Sequence, residues 1–322
     1  MNSMNSTNGA NGAKIRVRLF GATTVVLPDG SSVSDLGGIK PRQVLEMLAL
    51  SLGAPVSKDR LVEQLWEGNP PRTYMATLES YISLLRRRMG VGRGRDSALA
   101  TTSNGYLLDP ALVSVDVVEF RALVDQGLST GTAAAGTSAA AGASAAAGLG
   151  ELDAAIRMVG GELLASEPYA DWAAHERTLF GSQYLQACNR AAGYALQAER
   201  PHVGVEMARR AIGADEMSET SWQLLIRALS ATGARSEALR AYLDLRRMLV
   251  ESLGAEPSAA SRALYLDLLA QDRAEAAPAT SVHEVRTLLG LLRDALEGFP
   301  DLDLSPRDRG LTEKAERLVR AA

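Results

Sequence analysis

The chain has 322 residues, 46% of them hydrophobic, and a single cysteine, Cys188; that is room for two domains with their own cores. One thiol excludes an internal disulfide framework and fits a reducing cytosol, the compartment expected here. The net charge of −4 is unevenly spread: residues 1–109 carry 13 Lys+Arg against 9 Asp+Glu, a balance of +4, and the remainder carries −8. A mildly basic head on an acidic body fits a first domain that touches DNA and a second that touches protein, although so small a difference also arises by chance.

Residues 1–13 are rich in Asn, Gly and Ser and are expected to be disordered. From Ile15 to Ser34 apolar and polar residues alternate, broken at Gly21 and at Pro28-Asp29-Gly30, which predicts short antiparallel strands. A first helix opens after Lys40-Pro41 and buries Val44, Leu45, Leu48 and Leu52. A second starts at the N-cap Ser57, buries Leu61, Leu65 and Trp66, and stops at Gly68-Asn69-Pro70-Pro71. The third, over 73–89, carries Leu78, Ile82, Leu85 and Met89 as one apolar stripe. Its other faces carry Thr77, Ser80, Tyr81, Ser83, Arg86 and Arg87, groups suited to base edges and phosphate oxygens. Asn104-Gly105 then predicts a type I′ hairpin within 99–109. Helix and hairpin together read as the recognition helix and β-wing of a winged helix-turn-helix.

Residues 127–150 are uncharged, with Leu128 and Leu149 the only large apolar side chains, so the segment is too weakly apolar to insert in a membrane. No apolar run follows a basic start, so no secretory signal is expected, and the protein is expected to be soluble. Six glycines in 127–150 predict a loose surface tether, with a docking loop as the alternative. The region to about Gln271 predicts helices. Cys188 and Trp222, Gly204 and Ala238, and Ala211 and Leu245 each lie 34 positions apart, and Trp222, Leu225, Leu229, Ala238 and Tyr242 sit near tetratricopeptide positions. Stacked helix pairs and an ordinary bundle both fit this spacing. Beyond it, a linker over 274–281, an amphipathic stripe (Val285, Leu288, Leu289, Leu292, Leu296) and a short helix over 311–319 are predicted. The stripe is expected to pack on the helical domain, dimerisation or a regulator being the alternatives.

Enzyme chemistry finds no support. The sequence has no G-x-x-x-x-G-K-[ST] loop and no G-x-S-x-G elbow. His175, His202 and His283 are scattered without a ligand set, and Cys188 sits among Leu185, Ala187 and Ala191, a core setting. No catalytic residue, metal or cofactor is expected.

The order of three strands, three helices and a hairpin resembles the OmpR/PhoB type of winged helix-turn-helix. Leu65-Trp66, the run Ile82-Ser83-Leu84-Leu85-Arg86-Arg87 and Gly105-Tyr106 carry that likeness. In that type a receiver domain usually comes first; here the domain heads the chain, so that switch is expected to be missing. Gly37, Gly38, Lys40 and Arg42, the run GGELLASEPYADWAAHE over 160–176, and Leu253-Gly254-Ala255-Glu256-Pro257-Ser258 narrow the resemblance. Together they are similar to the Streptomyces antibiotic regulatory proteins, the SARP family, from Ile15 to about Leu269. The resemblance implies a mainly α protein: a tail (1–13), a winged helix-turn-helix (14–110), a TPR-like bacterial transcriptional activation domain (111–272) and a linker with a helical tail (273–322).

The resemblance also implies a DNA face made by Thr73, Thr77, Ser80, Tyr81, Ser83, Leu84, Arg86 and Arg87, with Lys40 and Arg42 on phosphate. Asn104, Gly105 and Tyr106 would approach the adjacent minor groove. Leu84 stands where many relatives of the wider type have a basic residue; it would touch a thymine methyl or signal fewer phosphate contacts. The loop 67–73, with Glu67, Gly68, Asn69 and Arg72, would touch RNA polymerase. The implied function is an activator of a secondary-metabolite cluster. It would bind direct repeats in double-stranded promoter DNA as side-by-side protomers and contact polymerase and its principal sigma factor. A repressor with the same head and a protein scaffold with a vestigial head are the rival readings.

Overall fold

The computed structural model describes residues 14–94, 96–132 and 138–276. The expectations for 1–13, for the stripe 285–296 and for 311–319 lie outside these residues. Strands β1 (Ile15–Arg18), β2 (Thr24–Val26) and β3 (Ser32–Val33) form antiparallel neighbours, as the alternation predicts. Ile15 and Val17 point inward while Arg16 and Arg18 face solvent. Three helices follow: α1 (Ile39–Leu50), α2 (Lys58–Trp66) and α3 (Tyr74–Arg88). Ser57 caps α2 by accepting from Arg60 N at 3.2 Å. Glu67, with φ 49°, and Gly68, with φ 83°, reverse the chain before the two prolines.

The wing contains β5 (Leu99–Thr101) and β6 (Gly105–Leu108), with β4 (Val56–Ser57) on the far side of β6. Its turn differs from the expected one. Thr102 N donates to Gly105 O at 2.9 Å, so Ser103 and Asn104 form the tip, and neither has positive φ. A type I′ turn needs positive φ at both central residues. Gly105 is instead required by a close approach: a Cβ there would lie 1.9 Å from Val56 O on β4.

β7 (Val113–Val115) runs parallel to β1 and completes a sheet of order β3-β2-β1-β7. It leads directly into α4 (Asp116–Thr132), so the head's sheet is closed by the segment that starts the helical body. Asp116 fastens the junction, accepting from Leu19 N at 2.9 Å, Phe20 N at 3.0 Å and Val117 N at 2.8 Å. Burial pushes its carboxyl above the ordinary value, opposed by those three donors.

Helices α5 (Ser138–Met158), α6 (Asp171–Gln197), α7 (Pro201–Ala214), α8 (Glu219–Ala231) and α9 (Arg235–Leu253) build the body. A second compact unit begins at Ala259, and its described part is the helix α10 (Ala259–Ala276). The loose tether expected over 127–150 is corrected here: residues to Thr132 continue α4 and those from Ser138 open α5. The glycines serve close packing. A Cβ on Gly148 would lie 2.6 Å from Gly127 O and 2.8 Å from Gly131 Cα, and one on Gly131 would lie 2.2 Å from Tyr194 Cζ. Side chains of any size would hold these backbones apart.

The body also grips the head. Phe20 meets Phe180 with ring centroids 5.1 Å apart, and Phe180 meets Phe120 at 5.2 Å. Beside this cluster Gly21 N donates to Glu162 O at 2.8 Å and Leu164 N to Leu19 O at 2.9 Å. Glu167 accepts from Arg42 at 2.5 Å and from Gln43 Nε2 at 2.7 Å. Head and body therefore share one core.

Candidate nucleic-acid interface

α3 has two faces. Leu78, Ile82, Leu85 and its C-cap Met89 are buried, as their spacing predicts. On the opposite side Ala76, Glu79, Ser80 and Arg87 are exposed and Ser83 is half-buried. These five line a shallow groove together with Leu84 and Arg86, and Val91 and Arg93 extend it past the helix end. Arg86, Arg87 and Arg88 crowd the last turn, where cations also suit the helix dipole. Arg87 and Arg93 make no ion pair among the described residues, whereas Arg88 is paired with Asp35 at 2.7 Å.

Two hydroxyls on this side are committed as donors. Ser80 Oγ donates to Ala76 O at 2.8 Å and Thr77 Oγ1 to Thr73 O at 3.0 Å. Their oxygens keep lone pairs to accept with, beside the Glu79 carboxylate, while guanidinium donors stand at the helix end. Thr73 is exposed at the start of α3 and makes no side-chain cap.

Several residues expected on this face are used elsewhere. Arg86 is the clearest correction: it is 8% exposed, and its guanidinium donates to Leu99 O at 2.9 Å and Thr101 Oγ1 at 2.7 Å. It ties the helix to the wing strand β5, so its donors are spent inside the head although the side chain borders the groove. Burial also lowers its pKa from the ordinary value. Tyr106 is 3% exposed within β6, so the wing presents backbone at that position rather than a phenol. Gly105 is buried beside it. Asn104 remains exposed at the tip, its carbonyl accepting from Lys58 N at 3.0 Å.

Tyr81 stacks on Trp66, with centroids 6.5 Å apart, and so faces α2 rather than a groove. Leu84 lies over Gly37, where any Cβ would come within 2.2 Å of Leu84 Cδ2. That contact accounts for an apolar residue there and for the glycine opposite. Lys40 donates to Leu65 O, and Arg42 is held by Glu167 and Ser166 O, so both cations are engaged within the protein. Glu67, Gly68, Asn69 and Arg72 are exposed together on the α2–α3 turn.

Three residues of the surface escaped the sequence reading. Glu79 shares the stripe of Ala76 and Ser83, a position that helical spacing gives although the side chain is acidic. Lys58 sits at the first turn of α2, donating to Glu79 Oε1 at 2.9 Å, with Nζ 5.8 Å from the Tyr106 ring centroid. Arg93 lies past the helix, where periodicity carries no information.

Comparison with known proteins assigns the two halves separately. Residues 38–108 match the family "Transcriptional regulatory protein, C terminal", and residues 115–269 match the "Bacterial transcriptional activator domain". The chain is 32% identical over 251 residues to the regulatory protein DnrI of Streptomyces peucetius, covering 76% of this chain and 88% of DnrI. It is 28% identical over 294 residues to the regulatory protein AfsR of Streptomyces griseus, covering 91% of this chain but 28% of that longer protein. A solved structure of Mycobacterium tuberculosis EmbR, in complex with a low-affinity phosphopeptide, superposes with a TM-score of 0.66 at 26% identity. That match covers 80% of this chain and 65% of EmbR. EmbR has the same winged-helix and helical architecture. With both domain types in this order and a relative of that coverage, the chain belongs to the SARP family of transcriptional regulators.

Proposed function

We propose that this chain is a sequence-specific transcriptional activator of a secondary-metabolite gene cluster, acting on direct repeats in double-stranded promoter DNA. The observation that carries the reading is the solvent-accessible stripe of exposed Ala76, Glu79, Ser80 and Arg87 and half-buried Ser83, on a helix whose other face is locked into the head's core. An α-helix of that width fits the major groove, where acceptors and guanidinium forks distinguish base pairs. Arg87 and Arg93 supply the phosphate or guanine contacts, in place of Arg86, Lys40 and Arg42. Thr73 at the start of the helix and Asn104 at the wing tip flank the groove.

Direct repeats imply protomers arranged head to tail along one face of the duplex, unlike two-fold dimers on palindromes. The exposed turn 67–73 and the helical body are the surfaces offered to RNA polymerase and its principal sigma factor. Among the described residues no helix is long and apolar enough to cross a membrane, which suits work on cytoplasmic DNA. Footprinting of the promoter with and without polymerase tests the reading. Protection of two or more repeats by the protein alone, extended jointly with polymerase and accompanied by more transcript, is expected. Protection with less transcript would favour a repressor, and no protection at any salt would overturn DNA binding altogether.

A further inference from the structure

Glu79 is the only acidic residue of α3, and it stands in the middle of the stripe proposed to face DNA. An acid there is repelled by the phosphates on both sides of a groove, so its presence requires a specific partner or none at all. It is not a stray charge. Lys58 donates to its Oε1 at 2.9 Å, and the lysine is in turn held at its backbone by Asn104 O and lies near the Tyr106 ring. Lysine, wing and recognition helix thus fix one carboxylate oxygen from behind. The other oxygen, Oε2, makes no protein hydrogen bond among the described residues, and the side chain is 58% exposed.

Base edges in the major groove differ in what they offer such an oxygen. Guanine presents acceptors, which repel it; adenine presents its amino group beside the N7 acceptor; cytosine presents the N4 amino group alone. We infer that Glu79 is a specificity-determining residue that accepts a hydrogen bond from the N4 amino group of a cytosine in each repeat. Lys58 is its positioning residue. It holds the carboxylate in place and neutralises part of its repulsion with phosphate. The neighbouring Ser80 oxygen, its proton already given to Ala76 O, reinforces an acceptor surface for amino-bearing bases.

The inference rests on the DNA-binding reading above, and the test separates the two. Randomised duplexes are selected with the purified full-length wild-type chain, Glu79→Ala, Glu79→Gln and Lys58→Ala, and the bound pools are sequenced. Wild type is expected to require cytosine at one position of each repeat. Glu79→Ala should lose about tenfold or more of that discrimination while keeping the other positions. Glu79→Gln should shift the same position toward adenine, which an amide binds through N6 and N7. Lys58→Ala should keep the cytosine with weaker discrimination, a base-specific effect that loss of a structural support alone does not produce. Identical base preferences for wild type, Glu79→Ala and Glu79→Gln would overturn the assignment while leaving DNA binding intact. A wild-type chain that enriches no sequence at any salt would overturn both.

Discussion

Two adjacent arginines show how little residue type says about role. Arg86 gives its guanidinium to the wing and Arg87 gives its own to solvent, although both lie in the same basic run. Removing the first should therefore act on stability: Arg86→Ala leaves the Leu99 carbonyl without its donor and should cost about 1–3 kcal/mol in a denaturant titration. Arg87→Ala should leave the melting temperature unchanged, weaken DNA binding and reduce the salt slope by about 1. Equal melting temperatures for the two variants would contradict the division. Glu46 makes a second prediction at this scale. It is fully buried, takes a hydrogen bond from Thr23, lies 3.7 Å from Arg42, and leaves its second oxygen unpartnered. Burial pushes its carboxyl from the ordinary 4.5 up to about 7. The folded chain then holds more protons than the unfolded chain between those values. Stability is greatest near the lower value and falls as pH rises through the window, by about 3 kcal/mol for this one group. Glu46→Gln should flatten that dependence, as measured by thermal melts across the window; an unchanged profile would remove Glu46 as its source.

Among the elements, those governed by local periodicity were legible and those governed by distant neighbours were not. Leu78, Ile82, Leu85 and Met89 repeat at the helical period, and Ser57 stands where a cap must be, so α2 and α3 could be read from sequence. The fold class was legible for the same reason: strands, helices and wing each announce themselves within a few residues. The site was only partly so. Arg86 and Tyr106 turn inward, and half-buried Tyr81 turns to α2, because β5, β4 and Trp66 come from other parts of the chain to receive them. The glycines of 127–150 misled because one composition suits both a tether and a close helix crossing; only the partner backbone decides between them. Gly148→Val should thus separate α4 from α5 and cost about 1–3 kcal/mol, a large effect for a segment that would tolerate anything were it a tether. A calorimetric melt unchanged by this substitution would argue for the tether after all.

At the scale of the molecule, the head has no finished core without the body. β7 closes its sheet, Asp116 satisfies the amides of Leu19 and Phe20, and Phe120 and Phe180 cover Phe20. Glu167→Ala would take the carboxylate from Gln43 and from Arg42, which keeps only Ser166 O and the nearby Glu46, at a cost of about 1–3 kcal/mol. Head and body should still unfold in one transition, whereas residues 14–110 alone should melt well below the full chain; equal melting temperatures would mean that the junction contributes little. Such a shared core sets where the body lies relative to α3, which would give the surfaces proposed to meet polymerase a defined position. The proposed function then depends on the outer face of α3 lying in the major groove. An iron chelate tethered at Ser83→Cys tests this directly, because Cys188 is buried and its thiol is pushed up to about 11, leaving the new cysteine as the reactive one. The account predicts DNA cleavage centred on the major groove of each protected repeat. Cleavage absent from a fully bound promoter, or spread evenly along it, would contradict it.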